Sequence, residues 1–103
     1  MKIGIDIGGS HIAVSLIEDD GKIINKLEED IKKQENAKEY IVNYVEKAIK
    51  KLSKNAFIDK IGIAVPGDPE NYIVKNLVNL NIKEIDFSYL LEKYNTCVNV
   101  IND

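Results

Sequence analysis

Apolar residues recur with period two at the start of the chain. In KIGIDI, residues 2–7, Ile3, Ile5 and Ile7 fall on one face and Lys2, Gly4 and Asp6 on the other, the alternation of a strand with one densely packed face. Residues 11–18 (HIAVSLIE) repeat the period, with Ile12, Val14 and Leu16 on one side and Ala13, Ser15 and Ile17 on the other. Asp19-Asp20-Gly21 offers turn chemistry, the glycine allowing the positive φ of a tight hairpin, and residues 22–31 (KIINKLEEDI) continue as a third strand. The first third of the chain reads as an antiparallel meander.

The period then lengthens to about 3.6. Ile41, Val45, Ala48, Ile49 and Leu52 recur at helical spacing while Glu39, Asn43, Glu46, Lys47, Lys50 and Lys51 fill the other faces, which predicts a helix over 37–53. Asn36 with Glu39 has the spacing of a capping box, and Lys50, Lys51 and Lys54 stand near the end where the helix dipole favours cations. Residues 59–65 (DKIGIAV) read as a largely buried strand stopped by Pro66-Gly67, and 72–75 (YIVK) as a short hairpin return. The Asn-rich NLVNLNIKEI reads as irregular. Asp86 then caps a short helix carrying Tyr89, Leu90, Leu91 and Tyr94, and CVNVIND is a last strand. The order β-β-β-α-β-(β)-α-β implies an α/β fold with a mixed sheet whose helix-connected strands run parallel.

Composition narrows the function classes without choosing one. The 103 residues are 45% apolar and 30% charged with a net charge of -3, values of an ordinary globular protein. They fit one domain spanning 1–103 or one half of something larger. Charges of both signs are interspersed, so no basic patch argues for nucleic acid. No apolar run approaches a membrane span or a signal peptide. A single cysteine, Cys97, excludes an internal disulfide and a multi-cysteine zinc site and suits a reducing cytoplasm. Its place in a strand suggests a buried packing residue, and His11, alone at the start of a strand, reads as incidental.

Candidate chemistry centres on Asp6 and the turn that follows it. Gly8-Gly9-Ser10 has neither the G-x-G-x-x-G spacing of a dinucleotide site nor the Gly-Lys-Ser/Thr of a Walker loop. Two readings stand: a primed hairpin turn, or a turn whose bare backbone lets N–H groups approach an anion, with the Ser10 hydroxyl as a further donor. A carboxylate inside a sheet needs a partner. Lys2 on the same face is one; the other is Mg2+, which takes one or two carboxylates together with substrate phosphates.

These residues carry a family resemblance. IGIDIGGSHIAVSLIEDDGKII is similar to the first phosphate motif of the sugar kinase/Hsp70/actin superfamily, and IGIAVPGDPENYIVKNLVNL followed by VNVIND resembles the ROK family of bacterial sugar kinases, glucokinases and related repressors. The resemblance runs the length of the chain. It implies a ribonuclease-H-like (actin-like ATPase) fold and phosphoryl transfer from ATP to a hexose. Asp6, Gly8, Gly9 and Ser10 match the D-x-G-G-T turn around the ATP phosphates and Mg2+, with Ser10 keeping the hydroxyl of the usual Thr. Gly67 matches the glycine that lies along the sugar. Asn79 matches an Asn-Leu position near the sugar pocket, with Asn76 as competitor. Asn102 and Asp103 match the Asn-Asp pair in which Asn binds sugar hydroxyls and Asp is the general base.

The resemblance also implies what this chain lacks. Whole ROK kinases are considerably longer, and their zinc-binding cysteine cluster, Glu/His sugar ligands and second phosphate and adenosine motifs have no counterpart in residues 1–103. The chain is therefore expected to be the N-terminal lobe of such a kinase, inactive in isolation, cytoplasmic, with the crevice face left open to self-association. The alternatives are the sugar-sensing domain of a ROK regulator, against which the absence of a helix-turn-helix segment before Met1 argues, and a ribonuclease-H-like nuclease, which needs more convergent carboxylates than Asp6 and Asp103.

Overall fold

The computed structural model describes residues 1–31, 36–54 and 56–102. In chain order these form β1 (Lys2–Ile7), β2 (His11–Ile17), β3 (Ile23–Asp30), α1 (Ala37–Ser53), β4 (Lys60–Val65), β5 (Asp68–Glu70), β6 (Ile73–Leu77), a 3-10 turn (Val78–Leu80), β7 (Ile82–Asp86), α2 (Tyr89–Tyr94) and β8 (Cys97–Asn102). The first five-stranded sheet has the order β3-β2-β1-β4-β8, and a second, three-stranded sheet the order β5-β6-β7. β1, β2 and β3 pair antiparallel, whereas β4 lies parallel to β1 and β8 parallel to β4. The mixed sheet expected from the element order is the one formed.

Register explains how the strands build the core. Ile3 pairs with Ile61 and Ile5 with Ile63, so the near-identical KIGID and KIGIA segments lie side by side and in step. Their isoleucines stack on one face with Ile12, Val14 and Leu16 of β2. Ile41, Val45, Ala48, Ile49 and Leu52 of α1 close over that face and are all buried. The helix spans 37–53 as its periodicity predicts. Its N-cap is Asn36, but no side-chain bond is made there, so the capping box does not form; the Asn36 carbonyl instead accepts the Tyr40 N–H at 3.0 Å.

Three further departures have clear local causes. The Asn-rich stretch expected to be irregular holds the 3-10 turn and β7, which pairs antiparallel with β6. Its inward residues, Ile82 and Ile85, are three apart and so break the alternation a strand normally shows. Asn71, Asn76 and Asn81 take left-handed φ values of 58°, 62° and 55°, conformations that Asn tolerates better than most residues. The hairpin return is longer than expected and has a partner, β5, whose Pro69 fits because β5 is an edge strand. Cys97, expected to be buried, is exposed. It opens β8 at the sheet's edge, on the face that α1 does not cover.

Candidate active site

Because β1, β4 and β8 are adjacent and parallel, their carboxyl ends open along one edge, the place where open α/β sheets gather ligand-binding groups. Asp6 stands at the end of β1. Its side chain is exposed, and among the described residues it has neither a hydrogen bond nor an ion pair. The Lys2 reading therefore fails: the two side chains share a face but make no pair. The charge in the strand carries little desolvation penalty because it lies at the open end of the uncovered face.

The turn after β1 is closed by Gly8 N–H donating to the His11 carbonyl at 2.7 Å. Neither Gly8 nor Gly9 uses left-handed φ; among the described glycines Gly21 does, at 94° in the β2–β3 hairpin. The positive φ expected of Gly21 is there, at the position that follows the Asp19-Asp20 turn, whereas the primed-turn reading of the Gly8-Gly9 pair fails. A Cβ on Gly8 would meet only the His11 carbonyl, at an unstrained 3.7 Å. Among the described residues nothing demands glycine there, and the space suits a ligand that needs close backbone approach. A Cβ on Gly9 would come within 2.9 Å of Asn79 Nδ2. Asn79, in the 3-10 turn, is in this way pressed against the β1–β2 turn although the two are far apart in sequence. His11 is held by β3, with Nε2 3.0 Å from Glu28 Oε2 and Nδ1 3.5 Å from Asp30 Oδ1.

On the other side of Asp6, β4 ends in the Pro66-Gly67 turn. Gly67 is buried, and a Cβ there would lie 2.7 Å from the Lys75 carbonyl and 2.8 Å from Val74 Cγ1. Glycine is required because β6 crosses directly beside it. Asn102, the register partner of Val65, donates from Nδ2 to the Gly67 carbonyl, so the end of β8 is tied to the β4–β5 turn. Asn76, the competitor of Asn79, donates from Nδ2 to Asp68 Oδ2 at 2.9 Å and lies within the small sheet. Its role is to hold β5 to β6. Asp103 lies outside the described residues.

The geometry therefore gathers Asp6, Gly8, Gly9 and Ser10 on one side of the edge, Gly67 and Asn102 on the other, with Asn79 against Gly9. Sequence reasoning picked out each of these residues but not the Gly9–Asn79 and Gly67–Asn102 contacts, which join segments separated by long stretches of chain. An exposed, unpaired carboxylate beside a backbone turn with room around it is a donor set that fits Mg2+ and a phosphate. Among the described residues no group of three or more His, Cys, Asp or Glu side chains could by itself hold a metal ion, and no helix is long and apolar enough to cross a membrane.

The strand order, the crossovers and the meander define a ribonuclease-H-like, actin-like ATPase fold. Residues 2–103 match the model of the ROK family. The chain belongs to the ROK family. It is 37% identical over 75 residues to a glucokinase of Thermotoga maritima, covering 71% of this chain and 23% of that enzyme. Among solved structures, a ROK-family glucokinase from Streptomyces griseus in complex with glucose and AMPPNP superposes with a TM-score of 0.78 at 22% identity, over 98% of this chain and 32% of that one. A ROK-family transcriptional regulator, a homologue of the E. coli MLC protein, superposes with a TM-score of 0.81 at 19% identity, over 99% of this chain and 27% of its own. This chain thus spans about a third or less of the length of these three relatives.

Proposed function

We propose that residues 1–103 form the N-terminal lobe of an ATP-dependent hexose kinase, a cytoplasmic transferase of the glucokinase type. The observation that carries this reading is the convergence of Asp6, the Gly8–Ser10 turn, Gly67 and Asn102 at the carboxyl ends of three parallel strands. In this reading Gly8, whose N–H closes the turn on the His11 carbonyl, leaves room for close approach, the Gly9 N–H and the Ser10 hydroxyl face the phosphates, and Asp6 holds Mg2+, which offsets phosphate charge when bound. Gly67 lies along the sugar, and Asn79 and Asn102 hydrogen-bond its hydroxyls. Asn102 Nδ2 is already engaged by the Gly67 carbonyl, which leaves its Oδ1 to accept from a sugar hydroxyl. Asp103 takes the general-base role. Phosphoryl transfer asks chiefly for in-line placement and charge stabilisation, and these residues supply the acceptor side of that arrangement.

The edge is open, and a single unpaired carboxylate stands at its phosphate side. Lobe closure that excludes water requires more protein than this. A coupled ADP-release assay with glucose is expected to show no turnover for the 103-residue chain; turnover comparable to a complete kinase sinks the lobe reading. Amide NMR titrations test the site directly. Glucose is expected to shift Gly67, Asn79 and Asn102, and Mg-AMPPNP to shift Gly8, Gly9 and Ser10. A sugar response without a nucleotide response favours the regulator reading that the second structural likeness keeps open, and no response to either at millimolar ligand overturns both.

A further inference from the structure

We propose that His11 is a positioning residue for the phosphate side of this edge: it braces the Gly8–Ser10 turn against β3 for an incoming nucleoside triphosphate. The inference rests on the kinase reading for its ligand, though not for its contacts. Two backbone bonds meet at the start of β2. The His11 carbonyl accepts the Gly8 N–H at 2.7 Å and closes the turn, and the Ser10 carbonyl accepts the Ile31 N–H at 2.8 Å and fastens the same turn to the end of β3. Both bonds are made by backbone alone, and a turn of two glycines and a serine has little else to hold it in one shape.

The His11 ring supplies a further hold. Asp30 is its register partner, and Glu28 stands two residues back along β3, on the same face of that strand. Nε2 lies 3.0 Å from Glu28 Oε2 and Nδ1 3.5 Å from Asp30 Oδ1. Each ring nitrogen therefore meets a different carboxylate, and an imidazolium presents an N–H to both. Lys26 Nζ, 3.7 Å from the same Glu28 oxygen, extends the row. The row runs from Lys26 through Glu28 and His11 to Asp30, and it ends beside Ile31, where β3 bonds to Ser10.

Stability alone does not account for this arrangement. The Glu28 and Asp30 side chains are exposed and His11 is about half so, and exposed ion pairs add little to folding. What the ring does control is the turn, because the residue it anchors to β3 is the one whose carbonyl closes on Gly8. It also keeps two carboxylates engaged with β2, beside a turn that has to receive an anion. Holding such a turn in its binding geometry beforehand lowers the cost of binding and of in-line placement.

The test pairs amide hydrogen exchange of the ligand-free chain with NMR titrations of Mg-AMPPNP and of glucose. His11→Ala is expected to lower the protection of the Gly8 and Ile31 amides while Ile5 and Ile63 keep theirs, to weaken Mg-AMPPNP about fivefold, and to leave glucose affinity unchanged. His11→Gln, which can still donate to one carboxylate, is expected to fall between wild type and His11→Ala. In a Glu28→Gln/Asp30→Asn background, His11→Ala is expected to cost about twofold or less, because the charges it held are gone. A wild type that binds Mg-AMPPNP and a His11→Ala variant that binds it equally well overturn the inference and leave the kinase reading standing. An undiminished loss in the Glu28→Gln/Asp30→Asn background overturns it too, as does equal weakening of glucose, the mark of a general loosening. A wild type silent to Mg-AMPPNP sinks the kinase reading instead; the brace is then decided by exchange alone, and unchanged protection at Gly8 and Ile31 overturns it.

Discussion

On the α1 side of the five-stranded sheet, β1 and β4 present Ile3, Ile5, Ile7, Ile61, Ile63 and Val65, each at most 2% exposed. On the opposite side the same two strands present Lys2, Gly4, Asp6, Lys60, Gly62 and Ala64. One face is filled with branched aliphatic side chains and covered by a helix. The other is a floor with little side-chain volume, bordered by charge. Period-two alternation lets one strand serve both purposes, since successive residues answer to different environments. The covered face supplies the stability that lets the open face keep glycines and an unpaired carboxylate. Strand interiors rarely favour either, for glycine weakens a strand and an acidic side chain packs poorly.

The largest expected effect comes from damaging the covered face. Ile63→Ala removes a side chain 1% exposed at the centre of the core and is expected to cost about 2–5 kcal/mol in urea unfolding. Its neighbour Gly62→Ala, whose Cβ meets nothing within 4 Å, is expected to be neutral or stabilising by about 0.5 kcal/mol. Equal costs at the two positions would erase the contrast between the faces.

A smaller loss tests the edge where the two faces meet. Gly67→Ala places a methyl 2.7 Å from the Lys75 carbonyl, and overpacking against backbone is expected to cost about 1–3 kcal/mol. It should also perturb the Asn102 amide resonance, since Asn102 donates to the Gly67 carbonyl. A neutral substitution would mean that β6 does not press on the turn.

The smallest effect concerns the rim of the covered face. The Tyr40 hydroxyl donates to Glu29 Oε2 at 2.5 Å, and that bond, with partial desolvation and the Glu29 charge, pushes the Tyr40 pKa up to about 12. A raised folded-state pKa means that the folded protein holds the proton more tightly. The associated stability is therefore present below the ordinary tyrosine value and fades as pH rises from 10 to about 12. Tyr40→Phe is expected to flatten the loss of stability across that window, read as the difference between wild-type and variant urea midpoints. Parallel curves would show that α1 is not linked to β3 through this bond.

Much of this architecture is readable from local pattern. The alternation of KIGIDI, the 3.6-residue spacing from Ile41 to Leu52 and the Asp-Asp-Gly turn each reflect energetics that act over a few neighbouring residues. Strand and helix assignments there agree with the structure to within a residue or two. β7 escaped because its buried residues do not alternate and its start depends on a left-handed Asn81. The exposure of Cys97 escaped for another reason: a residue's position within a strand does not say whether its face is covered.

By itself the sequence singled out Asp6 and the Gly8–Ser10 turn as candidates for meeting an anion, because short motifs carry their chemistry in side-chain type and glycine placement, while Gly67, Asn79 and Asn102 became candidates through the family resemblance. Only the tertiary structure decided which of them meet. Asn79 rather than Asn76 faces the glycine turn, because the Asn76 amide is spent on Asp68. Gly67 must be glycine because β6 passes beside it, and Asn102 reaches Gly67 because β8 lies parallel to β4. Those contacts join segments far apart in the chain, where the small sheet and the 3-10 turn come against the ends of β1, β4 and β8, which no local pattern encodes.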